Sequence, residues 1–123
     1  RFPTVRVVES PAIMFKGLSG SQMGIWCAHG EGRIEFKEKP KTVAMQFIDN
    51  DGPTIMYPYN PNGSVDGITA VCSEDGRHLA MMPHPERCFL NWQLPWSPIK
   101  TESKFTKFTT SSLIRKVELR GII

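Results

Sequence analysis

Apolar and polar positions alternate along this chain in short stretches that end at Gly, Pro and Asp. Val5-Arg6-Val7, Gly24-Ile25-Trp26-Cys27-Ala28, Arg33-Ile34-Glu35-Phe36 and residues 42–48 are β-branched or alternating runs of this kind. Side chains of an extended chain point to opposite faces in turn, so each run is an expected strand. Two further runs, residues 68–72 and 78–82, flank Glu74-Asp75-Gly76. The Asp-Gly pair suits the left-handed backbone of a tight hairpin turn, which predicts an antiparallel pair there. Asp51-Gly52-Pro53 and then Tyr57-Pro58-Tyr59-Asn60-Pro61-Asn62-Gly63-Ser64 are dense in residues that favour turns and local side-chain to backbone hydrogen bonds, so an ordered loop is expected. Past Trp96, Leu113, Ile114 and Val117 fit one face of a helix, while Ile114, Val117 and Leu119 fit alternation in part. The pattern leans to a short C-terminal helix.

Composition narrows what these elements can build. A chain of 123 residues, 40% of them hydrophobic, can bury one small core but not two, so it is one domain or a piece of one. The formal net charge is +3, and the excess lies largely after Pro98, in Lys100, Lys104, Lys107, Arg115, Lys116 and Arg120. A solvated surface accounts for such a tail; a phosphate-binding one is the alternative, in which the chain is a non-catalytic β-rich module whose basic tail binds nucleic acid or protein. Cys27, Cys72 and Cys88 are odd in number and irregular in spacing, with no secretory segment and no apolar run long enough to span a bilayer. A reducing, cytoplasmic setting is expected. Arg1-Phe2-Pro3 runs straight into an apolar alternation without an initiator methionine, which suggests a longer parent chain.

The chemistry concentrates in Met81-Met82-Pro83-His84-Pro85-Glu86-Arg87. A following proline pushes Met82 and His84 out of the α region toward extended geometry. Side chains two apart then share a face, about 6 to 7 Å along the strand, which puts His84 beside Glu86. A carboxylate can take the proton on one imidazole nitrogen, fix the tautomer and support the cation formed when the other nitrogen is protonated. This is the base-and-orienter half of a nucleophilic triad; an ordinary surface ion pair has the same spacing. A nucleophile on a sharp strand-to-helix turn needs small residues two positions to either side. Cys27 has Ile25 and His29 there, Cys72 has Ala70 and Glu74, and Cys88 has Glu86 and Leu90, so none fits. Cys27 and Cys72 sit in strand patterns and read as small buried hydrophobes; Cys88 is a loop thiol without an assigned role.

Three strings in register carry a resemblance. Ser21-Gln22-Met23-Gly24-Ile25-Trp26-Cys27-Ala28-His29-Gly30-Glu31-Gly32-Arg33, the loop at residues 57–64, and Asp75-Gly76-Arg77 leading into residues 81–87 resemble the phosphoribosylformylglycinamidine synthase family over residues 5–96. The resemblance implies a class I glutamine amidotransferase domain, an α/β flavodoxin-like sheet, of which this chain is the later and β-rich portion. It divides the chain into residues 1–98, the C-terminal part of the glutaminase domain, and residues 99–123, a divergent tail.

It further implies that His84 and Glu86 are the second and third members of a catalytic triad. His29, Gly30 and Glu31 would contact the amino-acid end of glutamine, although a buried histidine and a glycine-rich turn would look the same. The cysteine nucleophile would belong to an earlier segment, leaving the isolated chain inactive. Ammonia from glutamine would pass to a synthetase region, also outside this chain, where ATP and Mg2+ support conversion of formylglycinamide ribonucleotide to the amidine in purine biosynthesis. The expected partners are glutamine and the remainder of the protein, with no membrane and no nucleic acid.

Weaker signals fall away on spacing. Cys72, His78, His84 and Cys88 match no zinc arrangement, so no metal ligands are expected. Asp49-Asn50-Asp51-Gly52 opens like a calcium loop, but Asn60 stands where the bidentate glutamate should be. Asn62-Gly63-Ser64 is a glycosylation acceptor only in a secreted protein. Arg77 and Arg87 could each hold a carboxylate or bridge surface loops.

Overall fold

The computed structural model describes residues 1–28, 32–88 and 90–96. The expected C-terminal helix and the basic tail at 99–123 lie outside the described residues. Five strands form a single antiparallel sheet: β1 (Thr4–Val7), β2 (Gln22–Gly24), β3 (Val43–Phe47), β4 (Ile68–Cys72) and β5 (Leu79–Met81), in the spatial order β2-β1-β3-β4-β5. Short 3-10 turns at Ile13–Phe15, Val65–Gly67, Pro85–Arg87 and Asn91–Gln93 complete the regular structure of the described residues, which include no α-helix.

The register explains the core. Met23 lies opposite Val5, which lies opposite Phe47; Val7 faces Met45, Met45 faces Ala70, and Ala70 faces Met81. Cross-strand neighbours of this kind are the unit of sheet stabilisation. Val5, Val7, Met45, Phe47 and Ala70 are fully buried, joined by Phe15 and Ala12 from the first connection and by Cys88. The pairing of β3 with β4 shifts at Ala44 and shifts back near Thr69, so two consecutive residues of β3, Ala44 and Met45, are buried. Simple alternation would not place both inside.

The predicted hairpin is present between β4 and β5. Gly76 has φ 69°, and a Cβ there would collide with the Pro11 carbonyl, so only glycine fits. The Ser73 N–H donates to the His78 carbonyl at 3.0 Å, and Asp75 accepts from the Arg77 N–H at 3.2 Å and from the Ser73 hydroxyl. The expected ordered loop is also found. Buried Asn60 donates to the carbonyls of Thr54 (3.1 Å) and Ser64 (2.9 Å) and accepts from the Ser64 N–H at 3.1 Å. Gly67, at φ 69°, lets this loop approach the Phe47 and Thr54 carbonyls to within 2.9 Å of where a Cβ would stand. The calcium-like start is a tight turn in which Asp49 accepts from the Asp51 N–H at 2.9 Å.

Two expected strands differ from what forms. The run at residues 24–28 pairs as a strand only at its start, and β2 begins earlier, at Gln22. The Ile25 N–H reaches the Pro3 carbonyl at 3.0 Å and proline has no N–H to return, which leaves a gap in the ladder; beyond it the Cys27 N–H donates to the Arg1 carbonyl at 2.9 Å and the Arg1 amino group donates to the Cys27 carbonyl at 3.1 Å. Residues 33–36 alternate as read, with Ile34 and Phe36 half-buried and Arg33 and Glu35 exposed, yet no strand is assigned there. Alternation reports one-sided burial, which a segment lying along the surface also satisfies.

Candidate active site

The two edges of the sheet meet just past β2 and β5. Beyond β2, Trp26 forms an antiparallel bridge with His84, which follows β5. The proline-interrupted segment after β5 has few main-chain donors, and two of them tie it to the sheet. The Met82 N–H donates to the Thr69 carbonyl at 3.0 Å, and the His84 N–H donates to the Trp26 carbonyl at 2.8 Å. Between them, Pro83 has nothing to donate. The chain is thereby handed from one sheet edge to the other at His84.

His84 Nδ1 lies 2.7 Å from Glu86 Oε1, so the structure brings the predicted pair into direct hydrogen-bond contact. The route differs from the extended geometry expected. His84 is open (φ −110°, ψ 86°), but Pro85 begins a 3-10 turn, Pro85–Arg87, with the Arg87 N–H on the His84 carbonyl at 3.1 Å. The fixed φ of proline suits the first position of such a turn, so Glu86 swings back to His84 instead of standing two places along a strand. Arg87 Nε approaches the same Glu86 oxygen at 3.7 Å. The side chains of His84 and Glu86 are 30% and 41% exposed, which leaves them within reach of a small substrate.

Concavities flank the pair on two sides. One, of about 530 Å³, is lined by Met14, residues 79–83, His84, Pro85, Glu86 and Arg87. Another, of about 620 Å³, lies among Trp26, Cys27, Ala28, Arg87, Trp92 and Gln93, next to the start of the chain. His29, Gly30 and Glu31 lie outside the described residues, although Ala28 before them lines the second concavity. On their other side, Asn62 of the ordered loop donates to the Gly32 carbonyl at 2.7 Å.

None of the three thiols resembles an activated nucleophile. Cys27 is buried, and burial raises its pKa. Cys88 is tucked beneath the 3-10 turn, its Sγ 3.4 Å from the Pro85 carbonyl, and burial pushes its thiol up to about 11. Cys72 is half-buried on β4. Among the described residues, no three His, Cys, Asp or Glu side chains gather where they could hold a metal ion. Residues that sequence reasoning left without a role, Trp26, Cys88 and Gln93, all pack against this turn. Their only sequence signal was proximity to His84 or a place in the first of the three strings.

The chain belongs to the CobB/CobQ-like glutamine amidotransferase family, whose model matches residues 1–113. It is 52% identical over 107 residues to the probable phosphoribosylformylglycinamidine synthase, chloroplastic/mitochondrial, of Arabidopsis thaliana, covering 80% of this chain and 8% of that protein. It is 43% identical over 120 residues to the phosphoribosylformylglycinamidine synthase of Homo sapiens, covering 90% of this chain and 9% of that one. The resemblance carried by the three strings is therefore borne out, and the chain spans less than a tenth of these relatives' length. The fold is similar to that in the structure of PurLQS from Thermotoga maritima, with a TM-score of 0.59 at 22% identity over 95% of this chain and 47% of that one.

Proposed function

We propose that this chain supplies the histidine and glutamate of a glutaminase triad within a phosphoribosylformylglycinamidine synthase. The observation that carries the reading is the 2.7 Å contact between His84 Nδ1 and Glu86 Oε1 on a backbone anchored to Trp26. A carboxylate on Nδ1 holds the ring in one orientation and stabilises it when Nε2 takes a proton. The nucleophile in this reading is a cysteine outside these 123 residues; burial raises the pKa of Cys27 and of Cys88, which disfavours the reactive thiolate at both.

As thiolate, that cysteine attacks the side-chain amide carbon of glutamine, and His84 gives its Nε2 proton to the departing nitrogen, releasing ammonia and leaving a thioester. His84 then takes a proton from water, the resulting hydroxide attacks the thioester, and glutamate leaves while the thiolate is restored. Glu86 holds the imidazole throughout. In this reading His29, Gly30 and Glu31 contact the amino-acid end of glutamine. The sheet is the later part of a flavodoxin-like α/β domain, completed by chain outside these residues. ATP and Mg2+ act in a synthetase region elsewhere in the parent protein, where ammonia converts formylglycinamide ribonucleotide to its amidine. No described helix is long and apolar enough to cross a membrane. The free cysteines suit the cytoplasm, the proposed location.

The test is ammonia release from glutamine by the 123-residue chain and by the full-length protein that carries it. The short chain is expected to be inactive. In the long one, His84→Ala should abolish release, and Glu86→Gln should lower it by on the order of 10²-fold. Ammonia release by the short chain, or an active His84→Ala protein, would overturn the reading.

A further inference from the structure

His84 and Glu86 are too exposed for burial to hold them. A half-exposed ion pair contributes little against solvent screening and side-chain entropy, so its geometry must be imposed from outside. The hydrogen bonds around it form a closed circuit. The Trp26 carbonyl accepts from the His84 N–H at 2.8 Å, and the Trp26 indole Nε1–H donates to the Gln93 carbonyl at 2.7 Å. The Gln93 side chain turns back: its Nε2 donates to the Glu86 carbonyl at 3.4 Å, and its Oε1 accepts from the Leu90 N–H at 2.9 Å. The main chain of His84 is thus tied through Trp26 and Gln93 to the main chain of Glu86. The indole is itself set edge-on against Phe2, with ring centroids 4.8 Å apart and planes at 62°.

We propose that Trp26 and Gln93 are positioning residues for the His84–Glu86 pair, acting as one brace that fixes the distance between the two main-chain anchor points. The proposal rests on the glutaminase reading above. Trp26 serves because it is bifunctional: its carbonyl belongs to the sheet edge while its indole reaches the turn after the pair. Losing the indole N–H frees residues 90–93, and with them the amide that holds Glu86. Misplacement of a catalytic group by about 1 Å costs on the order of 10²-fold in rate, so a partial loosening should cost about 10-fold.

The experiment is a double-mutant cycle on glutamine hydrolysis by the full-length protein. Trp26→Phe keeps an aromatic ring against Phe2 and removes the N–H donor together with part of the ring; Gln93→Ala removes the amide and leaves its main-chain carbonyl in place. Each is expected to lower kcat by about 10-fold with KM unchanged, and to have little further effect once Glu86→Gln is present, because all act through one pair. A structural role would instead lower activity in both backgrounds alike. The brace is overturned if Trp26→Phe and Gln93→Ala leave kcat unchanged while Glu86→Gln lowers it, an outcome that spares the glutaminase reading. If Trp26→Phe does not fold, Gln93→Ala decides on the same criteria. Full activity in His84→Ala would remove both readings together.

Discussion

Cys88 is a small side chain with a large environmental effect. Its Sγ sits 3.4 Å from the Pro85 carbonyl and 3.6 Å from the His84 carbonyl, and burial among these groups pushes the thiol up to about 11. The thiolate is the reactive species, so Cys88 should resist alkylation in the folded chain. At pH 8, iodoacetamide is expected to label half-buried Cys72 before Cys88, an order that peptide mass spectrometry reads directly. The same shift gives a sign at high pH. Above about 9 the unfolded thiol ionises while the folded one stays protonated, so the native state binds more protons and stability falls as pH rises toward 11. Thermal melts between pH 8 and 10.5 should show a declining midpoint, and Cys88→Ala should reduce the slope.

At the scale of elements, the loop at residues 57–64 is organised by one buried side chain. Asn60 spends both its amide hydrogens and its oxygen on main-chain groups of Thr54 and Ser64. Asn60→Ala would leave buried groups unsatisfied at a cost of about 1–3 kcal/mol each, so stability should drop by about 2 kcal/mol or more in urea unfolding. The exposed side chains of Ile55, Met56, Tyr57 and Tyr59 stand on this framework, and the loop also holds the Gly32 carbonyl through Asn62. The hairpin between β4 and β5 works differently. Its turn is stabilised by a charged acceptor, Asp75, whose carboxyl is held below the usual carboxylate range by hydrogen bonds from the Ser73 hydroxyl and the Arg77 N–H. That turn sets β5, and β5 delivers His84.

For the molecule as a whole, the site exists because the sheet brings its edges together. β2 and β5 are the outermost strands, yet the residues just beyond them are bridged at Trp26 and His84. The curvature depends on the packed face beneath, where Phe47 is completely buried opposite Val5 on the central strand. Phe47→Ala should destabilise the chain by about 3–5 kcal/mol, visible as a shifted midpoint in chemical unfolding. Large apolar side chains remain on the outside as well: Trp92 is 79% exposed and Trp96 87%.

Much of this protein can be read from residues alone, because the governing interactions are local. Prolines on both sides of His84 restrict the backbone, the Asp-Gly pair specifies a hairpin, and the Asn-rich loop satisfies its own polar groups. The strands β1, β3, β4 and β5 follow from β-branched or alternating runs bounded by turn residues, and the family follows from three strings in register. What local pattern could not decide is which segments would find partners. Residues 33–36 alternate as an edge strand would but form none, and the ladder of the 24–28 run is interrupted at Pro3, a residue distant in sequence. The His84–Glu86 contact was foreseen from spacing but is made by a 3-10 turn, a choice that depends on hydrogen bonds to the far sheet edge. The brace through Trp26 and Gln93 joins positions dozens of residues apart. Only the folded sheet brings them together, because main-chain donors and carbonyls carry no mark in the sequence of where they will be satisfied.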